Sequence, residues 1–137
     1  MVAPENVHLT LAFLGEANPA KAIAAAKRVR GARHELPIDE VRFWKKNQIV
    51  WVGPREMPPE LDRLVKSLHQ ELGRDQFVLE RRPFAAHVTL LRKVRDPGEL
   101  PPPPQVAWPV REFVLVGSRI SSRGSTYEPV ERFPLSE

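Results

Sequence analysis

The chain has 137 residues, 42% of them hydrophobic, with no cysteine and a formal net charge of +4. That length supports one domain, or two small lobes sharing a core. The lack of cysteine excludes disulfides, thiolate metal sites and a cysteine nucleophile, and no window approaches the roughly 18 apolar residues of a membrane span.

The first strand signal is Val7 to Leu14, where Val7, Leu9, Leu11 and Phe13 alternate with His8, Thr10 and Ala12. Gly15 and Asn18-Pro19 end it, and Pro19 suits the first turn of a helix. Ala20 to Val29 is alanine-rich and reads as that helix, ending near Gly31. Glu35 to Trp44 and Gln48 to Val52 read as two strands joined by a turn at Lys45-Lys46-Asn47. Pro58-Pro59 opens the clearest helix, with Leu61, Leu64, Val65, Leu68 and Leu72 on one face and Gly73 as its stop. Phe77 to Leu79 reads as a short strand and Ala86 to Leu91 as a longer one. Asp96-Pro97-Gly98 and Pro101 to Pro104 form a stiff extended connection. Val110 to Val116 and Tyr127 to Phe133 then make a hairpin around Ser121-Ser122-Arg123-Gly124, with Pro129 marking an edge strand. The order predicts an α+β fold with antiparallel sheets and helices outside. It contains no glycine-rich phosphate loop.

His-x-Thr occurs twice, at His8/Thr10 and His87/Thr89, with the two histidines 79 positions apart. On a strand, residues i and i+2 share a face about 7 Å apart, so each His projects with its Thr. If the two strands face each other across a groove, the site holds two imidazoles and two hydroxyls. One imidazole can take a proton from a nucleophile while the other gives one to a leaving oxygen. The hydroxyls can donate to phosphoryl oxygens as charge builds there. A strained cyclic phosphodiester fits such a set. A single His-x-Thr is more often a cross-strand polar pair; two copies in a chain with four histidines weigh against that. Zinc binding lacks a third ligand, since neither motif carries a carboxylate at ligand spacing. His34, in a loop, and His69, on the polar side of a helix, read as solvated. The positive charge is mostly arginine, whose planar fork suits phosphate, although a modest excess is common in soluble proteins.

PENVHLTLAFLGE at Pro4 to Glu16 and RPFAAHVTLLRK at Arg82 to Lys93, supported by Ser118, Gly124, Tyr127 and the closing ERFPL, resemble the two-histidine (2H) phosphoesterase superfamily. The likeness is to its RNA 2′,3′-cyclic phosphodiesterases, also called 2′-5′ RNA ligase-like proteins, and spans essentially residues 1–137. It implies a single bilobal domain, two antiparallel sheets facing a central cleft, and one motif in each lobe. It implies metal-independent, cofactor-free hydrolysis of a terminal 2′,3′-cyclic phosphate to a 2′-phosphate. His8 would be the proton donor to the 3′ oxygen and His87 the base that activates water. Thr10 and Thr89 would hold phosphate oxygens, and Arg92 would help neutralise them; the plainer reading of Arg92 is a solvated strand end. Leu91 stands where a small residue is more usual.

The expected partners are RNA ends or small cyclic nucleotides, with no membrane. No charged n-region followed by an apolar h-region is visible, so a cytoplasmic location is expected. The resemblance also implies a strand and helix ahead of the first motif, where this sequence has seven residues before His8. Two situations are therefore expected as alternatives: a fragment or late-start version of a longer protein with reduced stability, or a second copy covering that gap in a homodimer. The competing readings are a nucleotide- or RNA-binding module without turnover, and 2′-5′ RNA ligation, the reverse chemistry.

Overall fold

The computed structural model describes residues 7–79, 83–122 and 124–137. The turn residue Arg123 and the outer ends of the motif matches, Pro4 and Arg82, lie outside them. In chain order the elements are α1 (Pro19–Lys27), β1 (His34–Ile38), β2 (Glu40–Trp44), β3 (Ile49–Gly53), α2 (Pro59–Arg74), β4 (Val88–Leu91), β5 (Val106–Val110), β6 (Glu112–Ser121) and β7 (Gly124–Pro134). They form the sheets β1-β5, β2-β3-β4 and β6-β7, an α+β architecture whose described pairings within the last two are antiparallel. No described helix is long and apolar enough to cross a membrane.

The chain forms two compact units. The first contains described residues 7–11, 35–57 and 84–108. Its centre is β3, buried at every position, because β2 and β4 pair with its two edges. The predicted strand Glu35 to Trp44 is broken at Asp39, whose N–H donates to the Gly53 carbonyl and whose Oδ1 accepts from the Arg55 N–H. Those bonds redirect the chain, so β1 leaves to pair with β5, a strand that the proline-rich context concealed.

The second unit contains residues 12–34, 58–83 and 109–137, described as above. Asn18 caps α1, its Oδ1 accepting from the Ala20 N–H at 2.9 Å, and Pro19 follows where a missing N–H costs nothing. In α2 the predicted face, Leu61, Leu64, Val65, Leu68 and Leu72, is buried. Gly73 is not its stop. The helix runs to Arg74, and Gln76 takes the left-handed position at φ 68°, closed by Phe77 N–H donating to the Leu72 carbonyl. That closure uses Phe77 in the turn, and 77–79 form no strand. Pro129 sits opposite Val116 at the irregularity of the β6-β7 ladder, where a missing donor is tolerated.

Among the described residues Glu71 is the buried charged side chain of this unit, 7% exposed. Its Oε1 accepts from Arg28 Nε at 3.3 Å and Arg74 Nη1 at 3.2 Å, while Arg28 also reaches Asp75 at 2.9 Å. The Asp75 bond, with Glu71 adding to it, raises the Arg28 guanidinium above its ordinary range. Glu71→Ala is expected to lower stability by about 1–3 kcal/mol, since the arginines lose a charge-assisted acceptor. Thermal unfolding checks this.

Candidate active site

The strand expected over Val7 to Leu14 does not form as a ladder. An isolated antiparallel bridge joins Leu9 of this segment to Val88 of the sheet. Two of its alternating apolar residues are open to solvent, Val7 at 45% and Phe13 at 76%. That bridge sets the two motif segments side by side at Leu9 and Val88. Both motifs belong to the first unit.

The bridge still brings the two motifs into register. With Leu9 opposite Val88, antiparallel register sets His8 opposite Thr89 and Thr10 opposite His87. Opposite residues share a face, and the two histidines lie on a diagonal, about 7–8 Å apart. On its other edge Val88 pairs with Val52 and Thr89 with Trp51. Leu9 and Val88 thus face away from the His and Thr side chains.

These residues line one pocket of about 260 Å³ with Asn47, Ile49 and Arg92. Arg92 reaches it through an irregularity. β4 pairs Thr89 with Trp51 but Leu91 with Val50, so Leu90 is an extra residue. In a regular strand, positions 89 and 92 would point to opposite faces. The bulge reverses the alternation and brings Arg92 beside Ile49, on the threonine face. Among the described residues Thr10, Thr89, Asn47 and Arg92 have no side-chain hydrogen bond to protein, so their donors are available to a ligand.

His87 immediately precedes β4 and is half-buried. Its Nδ1 is 2.8 Å from the Ala85 carbonyl oxygen. A carbonyl only accepts, so Nδ1 carries the hydrogen and the neutral ring keeps its lone pair on Nε2. Trp44 meets the ring edge-on, centroids 4.7 Å apart at 61°, and is itself backed by Trp51 at 4.8 Å. The strand carrying His87 packs closely on β3 at Gly53, where a Cβ would lie 2.7 Å from the Ala86 carbonyl oxygen. Trp44→Ala is expected to lower kcat about 2–10-fold with KM little changed, from the worth of one aromatic pair; Trp44→Phe should recover most of it.

His34 and His69 are outside this pocket. His34 is not a loop residue: it opens β1, with Nδ1 2.9 Å from the Ala32 oxygen and Nε2 buried. His69 is half-buried on α2 rather than fully solvated. Among the described residues no group of three His, Cys, Asp or Glu side chains gathers at metal-binding distance. Asn47, Ile49 and Trp44 escaped the sequence reading. Their signal was the β2-β3 hairpin itself, whose odd-numbered positions 49, 51 and 53 share one face.

A family model described as LigT like Phosphoesterase matches residues 1–51. The RNA 2′,3′-cyclic phosphodiesterase of Escherichia coli (strain K12) is 35% identical over 140 residues, covering 99% of this chain and 80% of that protein. The enzyme of the same name from Thermus thermophilus is 31% identical, covering 98% and 74%. A crystal structure of E. coli LigT complexed with 3′-AMP superposes with a TM-score of 0.91 at 34% identity, covering 99% of this chain and 80% of that one. Fold, paired motifs and relatives agree: this chain belongs to the LigT-like phosphoesterase family of the 2H superfamily.

Proposed function

We propose that the chain hydrolyses the 2′,3′-cyclic phosphodiester of RNA ends or nucleotides to a 2′-phosphomonoester, by acid-base catalysis between His8 and His87. The carrying observation is the convergence of two imidazoles, two hydroxyls and a guanidinium on one pocket. The relatives' shared name, RNA 2′,3′-cyclic phosphodiesterase, supports the same reading. His87 Nε2 takes a proton from water as the water oxygen bonds to phosphorus. The bond from phosphorus to O3′ breaks, and His8 gives that oxygen a proton. The products are a 2′-phosphate and a free 3′-hydroxyl, and proton exchange with solvent resets both rings. Thr10, Thr89 and Arg92 hold the phosphoryl oxygens as their charge grows. The anchored Nδ1–H of His87 supports its role as base, because it leaves Nε2 ready to accept. The same reading carries a cytoplasmic location with it, since RNA ends are processed there.

The mechanism draws on no metal or cofactor. Nucleoside 2′,3′-cyclic phosphate incubated with the protein in EDTA should therefore be hydrolysed at the full rate, with the 2′-phosphate as product. Activity abolished by EDTA and restored by a divalent ion, or a 3′-phosphate product, would contradict it.

A further inference from the structure

Two turns flank the pocket, and their backbones are tied together. The Val94 N–H donates to the Gln48 carbonyl at 2.9 Å. On either side of that bond, Gln48 and Lys93 hold left-handed backbone at φ 56° and 60°, a conformation glycine takes freely and other residues at a cost. The β2-β3 turn carries Lys45 and Lys46 directly before the pocket residue Asn47. The other carries Lys93 and Arg95 directly after the pocket residue Arg92.

These four cations are exposed, and none has an ion pair among the described residues. Arg28, Arg42, Lys66, Arg74 and Arg132, by contrast, all sit in ion pairs. The acid closest in the same stretch, Asp96, is turned to its own backbone, its Oδ1 accepting from the Gly98 N–H. The clasp thus gathers cations without ion-pair partners beside a pocket that already holds a guanidinium and two free hydroxyls.

We propose that Lys45, Lys46, Lys93 and Arg95 form a ridge that holds the phosphodiester backbone of an RNA strand whose terminal cyclic phosphate occupies the pocket. The substrate class is then an oligonucleotide rather than a mononucleotide. This rests on the phosphodiesterase reading above. A mononucleotide carries its single phosphate into the pocket and leaves the ridge empty. A strand brings further phosphates, whose neutralisation releases counterions and makes binding salt-dependent, with a slope of about 0.7 for each contact on single strands.

The test compares a hexanucleotide and a nucleoside, both ending in a 2′,3′-cyclic phosphate, across a salt series. Wild-type kcat/KM should favour the hexanucleotide and fall more steeply with salt for it. In K45Q/K46Q/K93Q/R95Q, hexanucleotide kcat/KM should drop about tenfold or more and its salt slope should flatten. Turnover of the mononucleotide should stay within about twofold of wild type, which also reports an intact fold. The paired variants K45Q/K46Q and K93Q/R95Q, measured alongside, keep a folding defect in the quadruple from hiding the result. A control neutralising the exposed helix residues Lys21, Lys27, Arg63 and Lys66 should leave the hexanucleotide preference in place. Equal rates for both substrates, equal losses on both, or the same loss in the control would overturn the ridge. Absence of mononucleotide turnover in the wild type would instead overturn the phosphodiesterase reading beneath it.

Discussion

Replacing His87 with alanine is expected to lower turnover of a nucleoside 2′,3′-cyclic phosphate by about 10²–10⁴-fold, and His8→Ala by a similar factor. Each loss is that of one proton transfer in the transition state. Water is a poor nucleophile without a base, and O3′ is a poor leaving group without an acid. The effects should not multiply. Both rings act on one pocket and in one displacement, so the double variant should fall little below the worse single variant. Neither substitution threatens the fold, because His8 is exposed and His87 half-buried, and no core side chain is removed. Melting temperatures near wild type should accompany the losses in rate. A His8→Ala protein that turns over at a near-normal rate would remove His8 from the mechanism.

The threonines carry the second large effect. Thr10→Ala and Thr89→Ala should each cost roughly 1.5–3 kcal/mol of transition-state stabilisation, the range for a hydrogen bond to a charged group, or about 10–150-fold in rate. Neither hydroxyl has a hydrogen bond to protein among the described residues, so its removal strands no buried partner and the effect reports on substrate. Thr→Ser at either position keeps the hydroxyl and should restore most of the rate. If serine and alanine are equally poor, the methyl group rather than the hydroxyl is what the site uses.

The sequence carried the paired motifs that line the pocket because their signal is local. His-x-Thr states which side chains share a face, and the spacing needs no tertiary information. What it could not carry was register. Leu9 against Val88 decides that the two motifs are neighbours in one unit, and a single bridge leaves no periodic trace beyond the residues it joins. Arg92 depends on the extra residue at Leu90, which alternation alone would have pointed away from the pocket. Helix α2 was legible because one amphipathic face and two prolines define it. Its end was misplaced because a buried Glu71 and a Gln76 turn outweigh the preference of Gly73 for a terminus. β5 was hidden by prolines, which allow an edge strand once β1 has been redirected at Asp39 to meet it.

The division of labour between the two histidines is tested most directly by the pH dependence of kcat/KM in the wild type and in the two single variants. A base must be neutral and an acid protonated, so the wild-type profile should be a bell whose limbs belong to the interacting pair. Residual activity in His87→Ala should lose the acid limb, since no base remains to be protonated as pH falls. Residual activity in His8→Ala should lose the alkaline limb, since no acid remains to be deprotonated as pH rises. Limbs lost in the opposite sense would exchange the two roles, and a bell unchanged in both variants would contradict two-histidine catalysis altogether.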